Sequence, residues 1–409
     1  MINWILLFLL ISLKFRTVES FSSNNYNNTF NDMGSERSRI ELSLRSLEMK
    51  RLKSAHDKMK EQKISLTGFY HTSAWRNYWE YVISEQLLIL DGKRMKSTEY
   101  EIFEDTTRND IIWGHKRFAS LLEVSDKLNI ITTGDTIDDH EKIVKVIKSL
   151  DLSPSNYEKV FIQYNRTMNR DTYTWHSNDQ QKAEHRKKIP DLTIGEVASV
   201  DKLHKFCINE VANGRKAFVY YFHSKGSCCT RKNKITEKYP PGIITWRESM
   251  NTFNLEFPSI CMRALLDGYN SCGMEYQDAH YSGNYWWANC DHIAKLVPLP
   301  SLYDAYAVEY FVFKMTHSDQ LNKKIGFKCG YSTHNFKVNH YDVEKPRDTY
   351  LGIVMNYLLD EEIPINPLSP MSTATSLTKK KDDVENCIKL RNMKDKKRYV
   401  DIENIERYI

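Results

Sequence analysis

Apolar residues in the middle of the chain recur in two alternating patterns. Short runs rich in β-branched and aromatic residues are typical of buried strands, and longer segments with apolar residues every three or four positions are typical of helices. The patterns predict strands at 64–70, 127–133, 160–164 and 216–222, with helices at 75–90, 140–150, 191–196 and 201–211. This alternation predicts an α/β fold with a mostly parallel central sheet flanked by helices.

The second half of the chain carries shorter and less regular elements. Its patterns predict a short strand at 271–274, an extended segment at 281–288, and helices at 246–253, 257–267, 291–296 and 305–314. Periodicity weakens from about residue 322, and residues 366–381 are rich in Ser, Thr and Pro. We therefore expect one domain over residues 63–321, a C-terminal extension over 322–365, and a linker with a charged tail over 366–409.

The chain begins with an apolar run, residues 2–13, which is followed by Lys14 and Arg16. A membrane-spanning helix needs roughly 20 apolar residues, so this shorter run fits the core of a signal peptide, with cleavage after Ser20. Because the positive charges follow the run rather than precede it, a short uncleaved membrane anchor stays open for residues 1–20. Either interpretation directs the chain into the secretory pathway, to the ER or Golgi lumen or outside the cell.

Residues 21–62 connect this segment to the predicted domain. Residues 21–33 are rich in Asn and Ser and predict a mobile leader, whereas residues 36–62 are highly charged with leucines at near-helical spacing. Two arrangements of that charged helix are open. It is either a stalk that stands away from the domain or a helix that lies on the domain surface.

Composition limits the classes of partner and of site. The formal net charge is only +5 and no segment carries a dense basic stripe, so a nucleic-acid partner is not expected. All eight cysteines fall in the second half without a C-x-x-C pair, which argues against structural zinc and for disulfides in an oxidising lumen. Cys261 and Cys272 flank a short helix and are candidates for a local bridge. Asn27 and Asn165 each begin a glycosylation sequon.

Polar residues follow the predicted strands at their carboxyl ends, where open α/β sheets bind ligands. His71, Asp135 and His223 all lie at that edge. Lys225 and Gly226 come shortly after His223; the glycine allows close backbone approach, and an ammonium with three donors suits a diphosphate. The alternative is that Lys225 is an ordinary loop lysine and His223 a histidine with structural hydrogen bonds.

Arg247 lies in the next predicted helix, and Asn251 lies one turn further on the same face. A guanidinium binds phosphate or carboxylate through two parallel hydrogen bonds, so both residues are candidates for ligand binding. A structural ion pair explains Arg247 equally well.

The segment 280–287, His-Tyr-Ser-Gly-Asn-Tyr-Trp-Trp, combines polar side chains with two adjacent indoles. Indole faces stack on the apolar face of a pyranose, and hydroxyl, carboxamide and imidazole groups bond its hydroxyls. The predicted sugar-binding residues are His71, Ser282, Gly283, Asn284, Trp286 and Trp287. The alternative is an aromatic strand end that only packs against the core.

The candidates for a catalytic acid or base are Glu309, Asp278 and His280. Glu309 lies inside an otherwise apolar helical pattern, where a carboxyl group needs a partner. A salt bridge to Arg247 or Lys225 is the alternative to a role as base. The chain contains no D-x-D triplet, and Asp138-Asp139 lies where a helix cap is expected, so no bound metal is predicted.

Several of these motifs together resemble a glycosyltransferase-like family. Its marks are a strand-terminal H-x-K-G, a following W-R and an H-F/Y-S-G-N-F/Y-W-W-A stretch, found here at 221–226, 246–247 and 280–288. Weaker matches lie at 69–71, at Trp79 and at 85–87, and the likeness covers roughly residues 64–315. A more distant likeness is to rhamnan-synthesis F-type proteins. Cys228-Cys229 and Tyr285 depart from the pattern without removing a proposed functional group.

The resemblance implies a GT-A-type fold that binds a nucleotide-diphospho-sugar. Where many such enzymes carry D-x-D and a metal, this chain has His223-Ser224-Lys225, and the Lys225 ammonium would neutralise the diphosphate instead. Donor binding would then fall to His223, Lys225, Gly226, Arg247 and Asn251.

The expected function is a metal-independent glycosyltransferase, hexosyl or deoxyhexosyl, acting on a glycan or glycoconjugate acceptor. It would need no cofactor beyond its nucleotide-sugar donor. The main alternative is a non-catalytic carbohydrate-binding protein on the same fold. A glycoside hydrolase ranks last, because it needs paired carboxylates and the motifs are rich in Lys, His and Asn instead.

Overall fold

Strands and helices alternate through most of the described chain. The computed structural model describes residues 26–74, 79–93, 119–134, 136–168, 193–224, 240–274, 276–277, 280–299, 306–313 and 330–332, and positions 354 and 358. The strands are β1 (Ile64–Ser73), β2 (Lys127–Gly134), β3 (Val160–Met168), β4 (Thr193–Ile194), β5 (Lys216–His223), β6 (Ser271–Gly273), β7 (Tyr276–Gln277), β8 (His280–Tyr281), β9 (Trp286–Asn289) and β10 (Gly330–Ser332).

The helices lie between and beside these strands. They are α1 (Tyr26–Glu61), α2 (Trp79–Leu90), α3 (Leu121–Val124), α4 (Ile137–Ser149), α5 (Pro154–Tyr157), α6 (Val197–Ala212), α7 (Pro240–Asn251), α8 (Ser259–Leu266), α9 (Cys290–Ile293) and α10 (Tyr306–Glu309). A π-helical segment, Thr252–Glu256, joins α7 to the region of α8, and a short 3-10 turn, Phe311–Phe313, follows α10.

One mixed sheet of eight strands organises the fold, in the order β10-β6-β9-β5-β1-β2-β3-β4. Every neighbouring pair is parallel except the two pairs that involve β9. Strands β7 and β8 form a separate antiparallel pair. The predicted α/β class, with a mostly parallel sheet flanked by helices, is confirmed.

The strand order reverses beside β1. Strands β2, β3 and β4 extend the sheet on one side of β1, and β5 pairs with β1 on the other side. The register of that parallel pair places His71 directly opposite His223 at the carboxyl end of both strands. A reversal of this kind leaves a crevice beyond the carboxyl ends, which is where open α/β sheets bind ligands.

Each face of the sheet is covered by its own hydrophobic core. On one face Tyr70, Phe222 and Trp287 pack with residues of α1, α2, α4 and α8. On the other face Phe69, Tyr221 and Trp286 pack with residues of α6 and α9. The central strands are therefore buried on both sides, which explains their nearly continuous apolar and aromatic sequences.

Helix α1 lies on the domain rather than standing away from it. Its buried residues include Leu44, Leu52 and Met59, which join the core formed with α8 and β1. Arg45 of α1 also forms a 2.7 Å ion pair with Glu256. Of the two arrangements left open by the sequence, the helix on the domain surface is confirmed. The leader predicted for residues 21–33 is wrong from Tyr26 onward, where α1 begins.

Glu48 is buried in the contact between α1 and α8. Its carboxyl group accepts hydrogen bonds from the backbone N–H and the hydroxyl of Ser259, at 2.9 and 2.5 Å. Burial raises the pKa of Glu48 to about 8, although the Ser259 hydrogen bonds and the nearby Arg263 and Arg45 oppose that rise. The folded chain therefore holds a proton at neutral pH that the unfolded chain releases.

We expect the fold to become less stable as pH rises toward 8, because folding requires Glu48 to hold this proton. Because the folded pKa of Glu48 lies above the unfolded value, the stabilisation is present at low pH and is lost up to about pH 8. One proton corresponds to a slope of about 1.4 kcal/mol per pH unit. Urea unfolding between pH 6.5 and 8 should show this loss in the wild type and a flatter profile in Glu48→Gln. Equal slopes in both proteins would contradict the assignment.

Two cystine bridges connect elements of the second half of the chain. Cys261 pairs with Cys272, which confirms the predicted local bridge between α8 and β6. Cys207 of α6 pairs with Cys290 of α9, a link of 83 residues that the sequence did not predict. Disulfides are typical of proteins that fold in an oxidising compartment. No helix within the described ranges has the length and apolar content needed to cross a bilayer.

The structure also corrects several predicted elements. Part of the helix predicted at 191–196 is strand β4, and the helix that follows begins at Val197. The extended segment predicted at 281–288 is two strands, β8 and β9, separated by a turn. Strand β10 was missed because the pattern weakens beyond residue 322. Residues 1–20 and 366–409 lie outside the described residues.

Candidate functional site

Two buried histidines mark the reversal point of the sheet. His71 and His223 are each 7 % exposed at the ends of β1 and β5. The Nδ1 atom of His71 lies 3.0 Å from the hydroxyl oxygen of Ser199 on α6. Burial lowers the pKa of His71 to about 4, so its ring is neutral at physiological pH. His71 is thus a neutral group held by Ser199 at the reversal point of the sheet.

A carboxylate that the sequence analysis missed lies beside these histidines. Glu196 immediately precedes α6, and its Oε1 is 3.1 Å from Nδ1 of His223. Its Oε2 accepts hydrogen bonds from Asn284 Nδ2 at 2.9 Å and from the Tyr221 hydroxyl at 3.4 Å. The signal available in the sequence was an acidic residue after Gly195 at the start of an amphipathic pattern. It was obscured because residues 191–196 were interpreted as a helix.

The turn between β8 and β9 presents a backbone carbonyl to His223 and the Asn284 side chain to this carboxylate. Gly283 has φ +80° and Asn284 has φ +61°, both in the left-handed region. A Cβ on Gly283 would lie 2.1 Å from the Met250 sulfur, so the turn requires glycine here. The Gly283 carbonyl oxygen lies 2.9 Å from Nε2 of His223. The predicted glycine is therefore part of the site through its backbone.

Asn284 connects Glu196 to the core. Its Nδ2 donates to Glu196, and its Oδ1 accepts from the Trp286 indole N–H at 3.0 Å. Its own backbone N–H donates to the Tyr281 carbonyl oxygen, which closes the turn. Both ends of the amide are thus used within the protein, and Asn284 positions Glu196. Ser282, also predicted to bind sugar, is buried in the same turn.

The two indoles do not form an open platform. Trp286 and Trp287 are both 0 % exposed, and they project to opposite faces of the sheet from adjacent positions of β9. Trp287 stacks on Tyr220 at 4.9 Å between ring centroids, and Trp286 packs on Tyr221 at 5.3 Å. The expectation that they stack on a sugar is corrected, because β9 is paired on both edges and covered on both faces.

Arg247 belongs to a buried polar network next to the end of β5. Its Nε donates to Glu85 Oε2 at 3.0 Å, and both side chains are nearly inaccessible. Asn251 donates to the same Glu85 oxygen at 3.4 Å. The structural ion pair that the sequence left open for Arg247 is present, and its partner is Glu85 rather than Glu309. This burial does not support the prediction that Arg247 and Asn251 contact the nucleotide-sugar donor.

The same network reaches the backbone at the end of β5. Gln86 donates to Asn251 Oδ1 at 3.3 Å and to the His223 carbonyl oxygen at 3.2 Å. The Tyr285 hydroxyl donates to that carbonyl as well. Arg247 and Asn251 are therefore linked to the site through Gln86, without lying on its surface.

The remaining candidates are spread over other parts of the chain. Glu309 is half-buried at the end of α10, and the half-buried His280 packs edge-on against Tyr310 at 5.0 Å. The predicted residues outside the described ranges are Asp135, Lys225, Gly226 and Asp278. Within the parts of the chain that are described, no three His, Cys, Asp or Glu side chains are grouped as metal ligands.

Comparison with known families and structures gives one match. A family model described as a domain of unknown function, DUF8361, matches residues 135–351. The match begins directly after β2, so it includes Glu196, His223 and Asn284 and excludes His71. No curated protein and no solved structure matches the chain significantly.

Proposed function

The chain belongs to the DUF8361 family, a domain of unknown function, and we propose that it is a glycosyltransferase of the secretory pathway. It transfers a sugar from a nucleotide-diphospho-sugar to a glycan or glycoconjugate, and a lysine, Lys225, serves where related chemistry uses a metal. The observation that carries the proposal is the convergence of His71, His223, Glu196 and the 281–285 turn at the reversal point of the sheet.

Fold geometry supports this assignment at a coarse level. Open α/β sheets bind nucleotides and related ligands at the point where strand order reverses. A parallel sheet with one antiparallel strand, β9, beside β5 is compatible with the GT-A-type fold that the motif resemblance implies. The sequence motif H-x-K-G begins at His223, at that same position.

The chemistry requires charge stabilisation more than a covalent intermediate. An acceptor oxygen attacks the anomeric carbon, the bond from that carbon to the diphosphate oxygen breaks, and the electron pair leaves with the diphosphate. Lys225, two residues beyond the end of β5 and outside the described ranges, would stabilise the negative charge that develops on the leaving group. Glu309, Asp278 and His280 stay predictions for the group that takes the acceptor proton.

The burial of the indoles removes a sugar contact that both candidate functions had assigned to them, and it weighs most on the second. A non-catalytic carbohydrate-binding protein needed Trp286 and Trp287 as an exposed stacking surface, and both lie in the core. The groups near the crevice are instead a carboxylate, two histidines and a tight turn. A polar site of this kind favours a ligand recognised by hydrogen bonds and charge.

A thermal-shift panel tests the proposal directly. UDP-, GDP- and dTDP-sugars should include at least one that raises the melting temperature of the purified chain, with the same shift in the presence of a chelator. Lys225→Ala should lower transfer from that donor by roughly 100-fold or more. Lys216→Ala is the matched control, because this exposed lysine begins the same strand at its opposite end.

Three results would contradict the proposal. The absence of any shift across the panel would remove the sugar-nucleotide assignment. Unchanged transfer in Lys225→Ala would remove the role of the lysine. A shift in melting temperature that disappears with chelator would show that a bound metal, rather than Lys225, neutralises the diphosphate.

A further inference from the structure

Glu196 is held by donors from two separate parts of the fold. Tyr221 and His223 approach it from β5, and Asn284 approaches it from the turn before β9. The three donors meet one carboxylate that lies at the start of a 16-residue helix, α6. Hydrogen bonds from several directions fix the orientation of the carboxylate in a way that an ordinary surface glutamate is not fixed.

The contacts of His223 determine where a proton must lie. Its Nε2 faces the Gly283 carbonyl oxygen, which only accepts, and its Nδ1 faces Glu196 Oε1. If Glu196 is ionised, the ring needs hydrogens on both nitrogens; if the ring is neutral, Glu196 must carry the proton itself. One proton therefore lies between His223 and Glu196 in either case. Losing it would bring two acceptors together at 3.1 Å.

Exposure distinguishes Glu196 from the groups that hold it. Its side chain is 27 % exposed, whereas the His223 side chain is 9 % exposed and Tyr221 and Asn284 are each 1 % exposed. Glu196 is thus the most exposed member of the cluster, and the one that a ligand at this edge of the sheet would contact first. The buried members orient it from within the protein.

The chemistry of this group selects one end of a sugar nucleotide. Because the shared proton lies between Oε1 and His223, the carboxyl group of Glu196 offers a ligand only acceptors, and a neutral ligand group that binds it must be a donor such as a hydroxyl. A diphosphate is an anion without donors at neutral pH, so it cannot donate a hydrogen bond to these acceptors. A sugar ring presents several hydroxyl donors and no charge.

We infer that Glu196 binds a hydroxyl group of the transferred sugar, with His223, Tyr221 and Asn284 as the residues that position its carboxylate. The inference rests on the proposed function and adds to it the residue that recognises the sugar end of the donor. It also gives Asn284 and His223 positioning roles in place of direct sugar contacts.

A binding comparison with two probes tests this role. The first probe is whichever of UDP-glucose, GDP-mannose and dTDP-rhamnose the wild-type chain binds, and the second is the free nucleoside diphosphate of that donor. Glu196→Gln should weaken binding of the sugar nucleotide by roughly 10- to 100-fold, because an amide replaces the carboxyl acceptor of the sugar hydroxyl. Binding of the free nucleoside diphosphate should stay within about twofold.

Asp201→Asn is the matched control. Asp201 lies on α6, pairs with Lys205 in an exposed i,i+4 contact, and is an acidic residue like Glu196. Removing such a surface pair has little effect on stability. This variant should therefore bind both probes as the wild type does.

A second measurement does not depend on the folding of the variant. Deoxy analogues of the bound donor, each lacking one sugar hydroxyl, should include one that the wild type binds roughly 10- to 100-fold more weakly than the parent. Glu196→Gln should bind that analogue and the parent nearly equally, since the two changes remove the same hydrogen bond.

The outcomes separate this inference from the proposed function. If the wild type binds no sugar nucleotide, the proposed function fails and the inference fails with it. If the wild type binds a donor but Glu196→Gln weakens the free nucleoside diphosphate equally, or weakens neither probe, only the inference is overturned. Equal binding of all deoxy analogues by the wild type would overturn it too.

Discussion

Replacing Arg247 with alanine is expected to lower the free energy of unfolding by about 3–5 kcal/mol. The substitution leaves the Glu85 carboxyl group in the interior without the guanidinium that faces it at 3.0 Å. Burial raises the pKa of Glu85, and the charge of Arg247 opposes that rise. Without Arg247 the buried Glu85 must either take up a proton or stay charged with no cation beside it, and both states destabilise the fold. Urea unfolding at pH 7 measures the effect.

Two companion variants identify the cause of that loss. In Glu85→Leu/Arg247→Met both charges are replaced by apolar side chains, and we expect most of the stability to return, because desolvated ion pairs contribute little net energy. Arg215→Ala removes an arginine whose side chain is 54 % exposed and paired with Glu210, and it should have little effect on the free energy of unfolding. A double variant as unstable as Arg247→Ala would show that the arginine acts through packing.

The network around Arg247 also explains why a substitution in the core would change the position of residues in the site. Gln86 and Tyr285 both bond the carbonyl oxygen of His223, so the end of β5 is held from beneath by the same group of side chains. Arg247 is therefore expected to influence ligand binding through the position of His223. This differs from the direct phosphate contact that the sequence suggested.

Local patterns were sufficient for the central sheet. Strands β1, β2, β3 and β5 were predicted from runs of β-branched and aromatic residues. Strands β1, β2 and β5 are buried on both faces and need such residues throughout, whereas β3 alternates between exposed and half-buried positions. The parallel class followed from the helices between them. Strands β4, β7 and β10 have only two or three residues each, too few for any periodicity to be visible.

The site could be predicted only in part, since its contacts join distant positions. The strand-end rule placed His71 and His223 correctly at one edge, and their register confirms it. The partners of Arg247 and His223 are Glu85 and Glu196, 162 and 27 residues away along the chain. Nothing in a single sequence indicates which acid faces which base, so Glu309 was considered and Glu196 was not.

The two tryptophans misled the sequence analysis for a related reason. Adjacent polar and aromatic residues are equally compatible with an exposed sugar platform and with a strand that buries both faces. Strand β9 is antiparallel between β5 and β6, so its pairing on both sides cannot be read from a βαβ pattern. Once that position is known, the indoles must fill the two cores, and the polar residues before them form the turn.

Truncating either indole should therefore act on stability rather than on sugar recognition. Trp286→Ala and Trp287→Ala are each expected to lower the free energy of unfolding by about 3–5 kcal/mol, since each empties a large volume in a different core. Trp287→Ala also leaves the Asn254 carbonyl oxygen without the indole N–H that donates to it at 3.2 Å. Tyr310→Ala, at a site that is 38 % exposed, is the control and should cost well under half as much.

Phenylalanine variants separate packing from recognition. Trp286→Phe and Trp287→Phe keep an aromatic ring in each core and should lose less stability than the alanine variants. If the indoles only pack, both phenylalanine variants bind the sugar nucleotide with wild-type affinity once they are folded. A variant that keeps its stability but loses that affinity would restore the indoles to the binding site, and would require β9 to open away from β5 when the ligand enters.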